Sequence, residues 1–300
     1  MRGRRLPGLA GPALVALLAG ALCAPAQAYV RTRTTEGGRP IFWQGSCIFL
    51  TPSAEGSLEL PLTEVTAVIQ AAADTWTNVG CSYLQLVVEE SQPGLFGAFD
   101  DDGRNQNVIV FEEVYWPYDH SAAGLTTITY IASDDAGRDG RVVDADVELN
   151  GVDFTFRTDG SQDHHDLQNV LTHELGHVVG LDHTCDDGMI DPTPLDHLGA
   201  LIPSCLPLDQ LPPTISEATM FNFAFPGETM KRTLEADDTA GVCAMYPVAE
   251  DPGVCEPVPP LSQPGCSVGG GRGTGAGGAL LWILILGWLR KRRGGQSTSL

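Results

Sequence analysis

The chain has 300 residues, 43% of them hydrophobic, which is enough for a domain with a sizeable core. Its formal net charge is −21, and all 38 acidic residues lie between Tyr29 and Cys266. So acidic a surface argues against nucleic acids and anionic lipids as partners.

A secretory signal peptide is predicted at residues 1–28. Three arginines occur among the first five residues, an apolar run follows from about 9 to 22, and Ala26-Gln27-Ala28 has the small-x-small pattern of a cleavage site. We therefore leave residues 1–28 out of the fold and expect the mature chain to begin at Tyr29.

Five strands and two helices are predicted before residue 180. Apolar runs bounded by turn residues, or residues of alternating polarity, predict the strands, and apolar residues at helical spacing predict the helices. The predicted strands are 41–50, 84–88, 107–111, 125–131 and 142–149. The predicted helices are 61–78 and Leu167–Val179, the second with Asp166 as its N-cap.

The second helix carries the most informative motif of the chain. His173 and His177 are four residues apart, so their rings lie on one helix face and can bind one metal ion. Gly180 permits a turn with positive φ, and the turn brings His183 round as a third ligand. Three protein ligands leave a position for water, as in catalytic zinc sites, and Glu174 can act as general base. A core helix with hydrogen-bonded histidines is the alternative.

This H-E-x-x-H-x-x-G-x-x-H pattern resembles that of the metzincin metalloproteases. His183-Thr184 most resembles the matrixin branch, in which a Ser usually follows the third His. The resemblance implies an α+β fold with a twisted, mostly parallel five-stranded sheet and two long helices. A smaller irregular C-terminal subdomain with a Met-containing turn and a closing helix would follow, so that residues 29–247 form the catalytic domain.

The resemblance also implies a methionine beneath the metal. Met220, in Glu217-Ala218-Thr219-Met220, is the best match, because residues 234–247 after it resemble the closing matrixin helix, which Asp237 can cap. Met189 and Met230 are the competitors.

By the same resemblance, the strand 125–131 lies above the cleft and pairs with an extended substrate. Its expected substrate-binding residues are Leu125, Thr126, Thr127 and Ile128. An edge protected by the surrounding loops is the alternative.

Three loop segments contain further candidate metal ligands. His197 lies in the irregular segment 186–216 and could be a fourth ligand, although an ordinary loop histidine is the commoner case. Residues 100–105 and 134–140 cluster oxygen donors that could bind calcium, but neither matches the twelve-residue calcium loop, and solvated turns are the alternative.

Seven cysteines follow the signal peptide, which fits export to an oxidising compartment. Sequence proximity alone suggests the pairs Cys47–Cys81, Cys185–Cys205 and Cys243–Cys255, and six cysteines allow 15 pairings. Cys266 is then left unpaired.

The C-terminal region is predicted to be a sorting signal. A Pro/Gly-rich linker with a Gly-Cys motif, residues 248–272, precedes an apolar tail and a basic cluster, residues 273–300. The arrangement resembles the myxobacterial sorting signals, in which the tail is removed; a plain single-pass anchor is the alternative. Either way, we expect the domain outside the cell or on its surface, with the membrane contacted only through this tail.

The sequence therefore predicts a monomeric zinc endopeptidase whose partner is a protein or peptide substrate. Zn²⁺ is bound by His173, His177 and His183, Glu174 is the catalytic base, and Ca²⁺ could bind elsewhere. The alternative is a surface-displayed binding module with a metal-stabilised fold and no turnover. A zinc hydrolase that acts on something other than peptides also stays open.

Overall fold

The fold is built on five strands and two long helices. The computed structural model describes residues 29–35, 38–100, 105–133, 135, 137–188 and 193–260. The predicted signal peptide and the C-terminal tail lie outside these residues. In chain order the elements are β1 (Val30–Arg31), β2 (Cys47–Pro52), α1 (Leu62–Thr77), β3 (Gln85–Val88), β4 (Asn107–Glu112), β5 (Gly124–Tyr130), β6 (Val142–Asn150), β7 (Phe156–Arg157), β8 (His165–Asp166), α2 (Leu167–Val179), β9 (Leu181–Asp182), α3 (Pro213–Ser216) and α4 (Ala236–Met245). Short 3-10 turns occur at Leu208–Gln210, Met230–Arg232 and Val248–Glu250.

The central sheet has the strand order β3-β2-β4-β6-β5. Strand β2 pairs in parallel with β3 and β4, β4 pairs in parallel with β6, and β5 is antiparallel to β6. The chain is therefore mixed α/β with a mostly parallel sheet, and the predicted strand number is confirmed for this sheet.

The first strand begins later than predicted. Strand β2 starts at Cys47, not at residue 41, because the chain bends at residues 44–46. Ile41 and Trp43 are buried, but Phe42 only forms an isolated bridge to Arg141. The two ends of the apolar run from 41 to 50 thus pair with different parts of the chain. An apolar pattern cannot distinguish two such segments from one strand.

Both long helices pack against one face of the sheet and share its core. Helix α1 buries Val65, Ile69 and Trp76, and the indole N–H of Trp76 donates to the carbonyl of Thr172 in α2 at 2.9 Å. The hydrogen bond fixes the two helices side by side and satisfies a buried indole N–H. None of the helices in the described part of the chain combines the length and the apolar character that a membrane span requires.

The disulfides correct two of the three suggested pairs. Cys185–Cys205 is confirmed, whereas the other bonds are Cys47–Cys255 and Cys81–Cys243. Proximity in sequence was misleading because the chain after α4 returns to the N-terminal half: the Ser46 amide donates to the Val254 carbonyl at 2.7 Å. The disulfides thereby tie α4 and the segment after it to the loop after α1 and to β2.

The other face of β6 carries a row of buried acids. Asp144, Asp146 and Glu148 alternate with core residues and are each at most 7% exposed. Burial, with the neighbouring carboxylates, raises the pKa values of Asp144 and Asp146 well above the usual range of an aspartate. Burial also raises the pKa of Glu148 to about 7, although the hydroxyl of Tyr118 donates to it at 2.7 Å and lowers it.

We expect Asp144→Asn to reduce the loss of stability that accompanies a rise in pH from acidic to alkaline values. An unfolded aspartate has a pKa of about 3.9, so between that value and the raised folded pKa the folded chain binds more protons. Stability then falls as pH rises through this window. Thermal unfolding of both proteins from pH 5 to 9 should give a shallower decline of Tm for the variant.

The exposed Asp163 offers the control, because Asp163→Asn should leave the parent's pH dependence unchanged. Parallel Tm curves for Asp144→Asn and the parent would contradict this explanation.

Candidate metal centre

Helix α2 presents two of the three predicted ligands. It begins at the N-cap Asp166, whose carboxylate accepts the amide N–H of Asn169 at 3.0 Å, so the predicted cap is confirmed. It ends at Gly180, which has φ 104° and donates its amide to the carbonyls of Gly176 and His177. This positive φ favours glycine and turns the chain back under the helix.

The third ligand follows a short strand. Leu181 and Asp182 form β9, which pairs antiparallel with Val30–Arg31 of β1, and the Thr32 amide donates to the Gly180 carbonyl at 3.0 Å. Residues 30–32, near the start of the described chain, therefore hold the turn that positions His183. The sequence analysis did not predict this pairing.

The three imidazoles converge through their Nε2 atoms. His177 Nε2 lies 3.1 Å from His173 Nε2 and 3.2 Å from His183 Nε2. His173 Nδ1 donates to the Thr219 carbonyl at 2.7 Å, and His177 Nδ1 donates to the Leu181 carbonyl at 2.9 Å. A carbonyl only accepts, so in both rings the proton is on Nδ1 and the Nε2 lone pair faces the other rings.

This arrangement fits a bound cation. The Nε2 atoms of His173 and His177 are 3.1 Å apart, and their lone pairs repel one another unless a positive charge lies between them. Tetrahedral ligands at the usual zinc–nitrogen distance of about 2.0–2.1 Å would be about 3.3 Å apart. Among the described residues, these three histidines are the one group of His, Cys, Asp or Glu side chains that could hold a metal ion.

Burial keeps the rings in the form that binds metal. It lowers the pKa of His177 to about 4, and together with the neighbouring rings it holds the pKa values of His173 and His183 well below the usual range. Metal ions bind neutral imidazole, so no proton has to leave at neutral pH.

Met220 lies directly against the ligand helix. A Cβ added at Gly176 would be 2.1 Å from Met220 Sδ and 2.9 Å from Trp76, so only glycine fits between the two ligands of α2. Met220 is 2% exposed, whereas its competitor Met230 is 41% exposed. Met189 lies outside the described residues.

The turn around Met220 is held by a residue that the sequence analysis missed. The Asp238 carboxylate accepts the amides of Thr219 and Met220 at 2.8 and 3.1 Å, and also that of Glu235 at 3.0 Å. Glu235, not the predicted Asp237, is the N-cap of α4, where it forms a capping box with Asp238. Asp238 thus fixes the carbonyl that orients His173.

Glu174, which follows the predicted ligand His173 in the sequence, is fully buried. Its Oε2 accepts the Thr126 hydroxyl at 2.7 Å, and its Oε1 has no hydrogen-bond partner in the described structure. Burial raises the pKa of Glu174 to about 8, while the Thr126 hydrogen bond and the buried charge of Lys231 lower it. One carboxylate oxygen, Oε2, is therefore held by a hydrogen bond, and the other, Oε1, can accept one.

The predicted substrate strand lies at the edge of the sheet. Strand β5 pairs only with β6 in the central sheet. Leu125 packs with Trp116, Thr126 faces Glu174, and Ile128 belongs to the main core, so only Thr127 of the four expected residues is partly exposed. A peptide added here would meet mainly the backbone of the strand.

The remaining metal candidates lie elsewhere. His197 is stacked on Tyr29 with ring centroids 4.1 Å apart and is not part of the three-histidine cluster. Residues 101–104, 134 and 136 of the two possible calcium loops lie outside the described residues. Asp139 pairs with Arg39 and accepts the amide of Ser133, and Asp135 accepts the amide of Gly137, so both carboxylates already have partners within the protein.

Comparison with known proteins leaves the family open. No family model matches the chain, and no curated protein matches it. A similar solved chain belongs to the GM1-bound form of the ECX AB5 holotoxin, with a TM-score of 0.41 and 11% identity over 74% of this chain and 89% of that one. A likeness this distant carries no argument about function.

We expect the chain to bind one Zn²⁺ and to lose this binding in His177→Ala. Elemental analysis of the dialysed parent should give one zinc per chain. Because only the folded state gathers the three nitrogens, free zinc at about 1,000 times its Kd should stabilise the parent by about 4 kcal/mol.

His197→Ala is the matched control, because it removes a histidine outside the cluster and should keep the zinc. A parent protein that binds no zinc, or whose Tm is the same with zinc and with a chelator, would rule out this metal site.

Proposed function

We propose that this chain is a zinc-dependent endopeptidase that resembles the matrixin branch of the metzincins and is secreted or anchored at the cell surface. The observation that carries the proposal is the convergence of three buried Nε2 atoms beside a glutamate with one available oxygen. The eleven-residue motif between His173 and His183 provides each of these groups at the expected position.

The donor set favours zinc. Three neutral imidazoles without a thiolate suit Zn²⁺, and three protein ligands are typical of catalytic rather than structural zinc sites. When bound, zinc would supply a Lewis acid that polarises the scissile carbonyl and makes water more acidic. His173, His177 and His183 would hold it.

Glu174 would move the proton in peptide hydrolysis. Its free Oε1 accepts a proton from water as the water oxygen bonds to the carbonyl carbon. The same carboxyl then donates this proton to the amide nitrogen as the C–N bond breaks, which releases an amine and a carboxylic acid. No thiol nucleophile is required, and all six described cysteines are in disulfides.

The setting of the site supports an extracellular protein substrate. Three disulfides indicate folding in an oxidising compartment. The edge strand β5 adjoins Glu174 through Thr126, so a peptide that extends the sheet there would lie near the general base. The alternative, a metal-stabilised binding module, uses the same histidines and would not need Glu174.

We expect Glu174→Gln to keep one zinc per chain and to lower kcat/KM for casein or a peptide library by about 10²- to 10⁴-fold. The amide retains the size of the side chain but cannot accept the proton. Parent activity should stop with a chelator and return with zinc.

Glu148→Gln is the matched control, because Glu148 is also a buried glutamate but lies on the opposite face of the sheet. It should retain the activity of the parent. A Glu174→Gln variant as active as the parent would refute the mechanism. A parent that binds zinc and hydrolyses no peptide would favour the binding module.

A further inference from the structure

Thr126 makes the only hydrogen bond to the Glu174 carboxylate within the described structure. Its hydroxyl lies 2.7 Å from Glu174 Oε2 and 3.2 Å from the Glu174 backbone carbonyl. Thr126 is 7% exposed and lies on β5, whereas Glu174 is on α2. The contact thus joins the edge strand to the catalytic helix at the predicted general base.

Gly124 limits the other side of the same carboxylate. It lies two residues before Thr126 and therefore on the same face of β5. A Cβ at this position would be 2.7 Å from Glu174 Oε1 and 3.0 Å from its Cδ. The strand therefore leaves space for one carboxylate oxygen at Gly124 and binds the other at Thr126.

We propose that Thr126 is a positioning residue whose hydroxyl fixes the rotation of the Glu174 carboxylate, so that Oε1 is the oxygen that exchanges the proton. This inference rests on the proposed peptidase function. It gives Thr126 a different role from the substrate contact expected from the sequence. A substrate contact should act on KM, whereas orientation of the base should act on kcat.

The role depends on the hydroxyl and not on the size of the side chain. Thr126→Val keeps the branched shape and removes the donor, while Thr126→Ser keeps the donor. A hydrogen bond to a charged group is worth enough to change a rate by about 10- to 100-fold. We therefore expect Thr126→Val to lower kcat by that factor with KM within about twofold of the parent, and Thr126→Ser to stay within about threefold.

Thr51 and Glu89 provide a matched control pair far from the histidines. The buried Thr51 hydroxyl donates to Glu89 Oε2 at 2.8 Å, a bond of the same type to a half-buried carboxylate. Thr51→Val should therefore remove a threonine–glutamate hydrogen bond without changing kcat. All variants should keep one zinc per chain, which separates loss of orientation from loss of metal.

A second measurement does not depend on turnover. Infrared difference spectra between the zinc-loaded parent and Glu174→Gln identify the carboxylate bands of Glu174, which should shift in Thr126→Val and not in Thr51→Val. Unshifted bands, or a raised KM with unchanged kcat, would overturn the proposal. A parent without peptidase activity would refute the proposed function, and with it the catalytic role of Thr126, while the band shift would still report the hydrogen bond itself.

Discussion

The hydrogen bonds from two imidazole Nδ1 atoms to backbone carbonyls are the constraint on which the rest of the site depends. His173 donates to the Thr219 carbonyl and His177 to the Leu181 carbonyl, which directs both Nε2 lone pairs toward a common point. Each carbonyl is fixed in turn by long-range contacts: Asp238 binds the Thr219 amide from helix α4, and β1 pairs with the strand that contains Leu181. A site of three side chains therefore needs both ends of the domain.

Local signals were sufficient to predict helix α2. Asp166 and Gly180 bound helix α2 as predicted, because a side-chain cap and a positive φ are properties of single residues. The strands of the central sheet were also accessible, since apolar runs and alternating polarity between turn residues mark strands, whereas their mostly parallel arrangement was expected only from the resemblance to the metzincins. The start of β2 could not be predicted in this way. Residues 41–43 have the same apolar character as the strand but pair elsewhere, with Phe42 bridging Arg141.

The groups that support the site depend on contacts remote in sequence, and this is why sequence analysis missed most of them. The Cys47–Cys255 and Cys81–Cys243 bonds span more than 160 residues each, so proximity could not indicate them. The positions of Asp238 and Thr126 in the sequence did indicate that their side chains have partners within the protein. Asp238 is placed to complete a capping box with Glu235, and Thr126 shares its face of β5 with the core residue Ile128, where a polar side chain needs an internal partner.

Burial acts on the two kinds of group in this site in opposite directions. It keeps the histidines neutral, so that they can bind a cation, and it raises the pKa of Glu174 to about 8, which favours the protonated carboxyl. The buried Lys231 adds positive charge that lowers the pKa of Glu174, but its ammonium is paired with Glu228. A divalent cation at the three nitrogens would relieve the repulsion of their lone pairs and would also stabilise the ionised glutamate beside them. Metal binding and ionisation of Glu174 are therefore coupled electrostatically, because α2, β5 and the turn at Met220 bury the histidines and the carboxylate together.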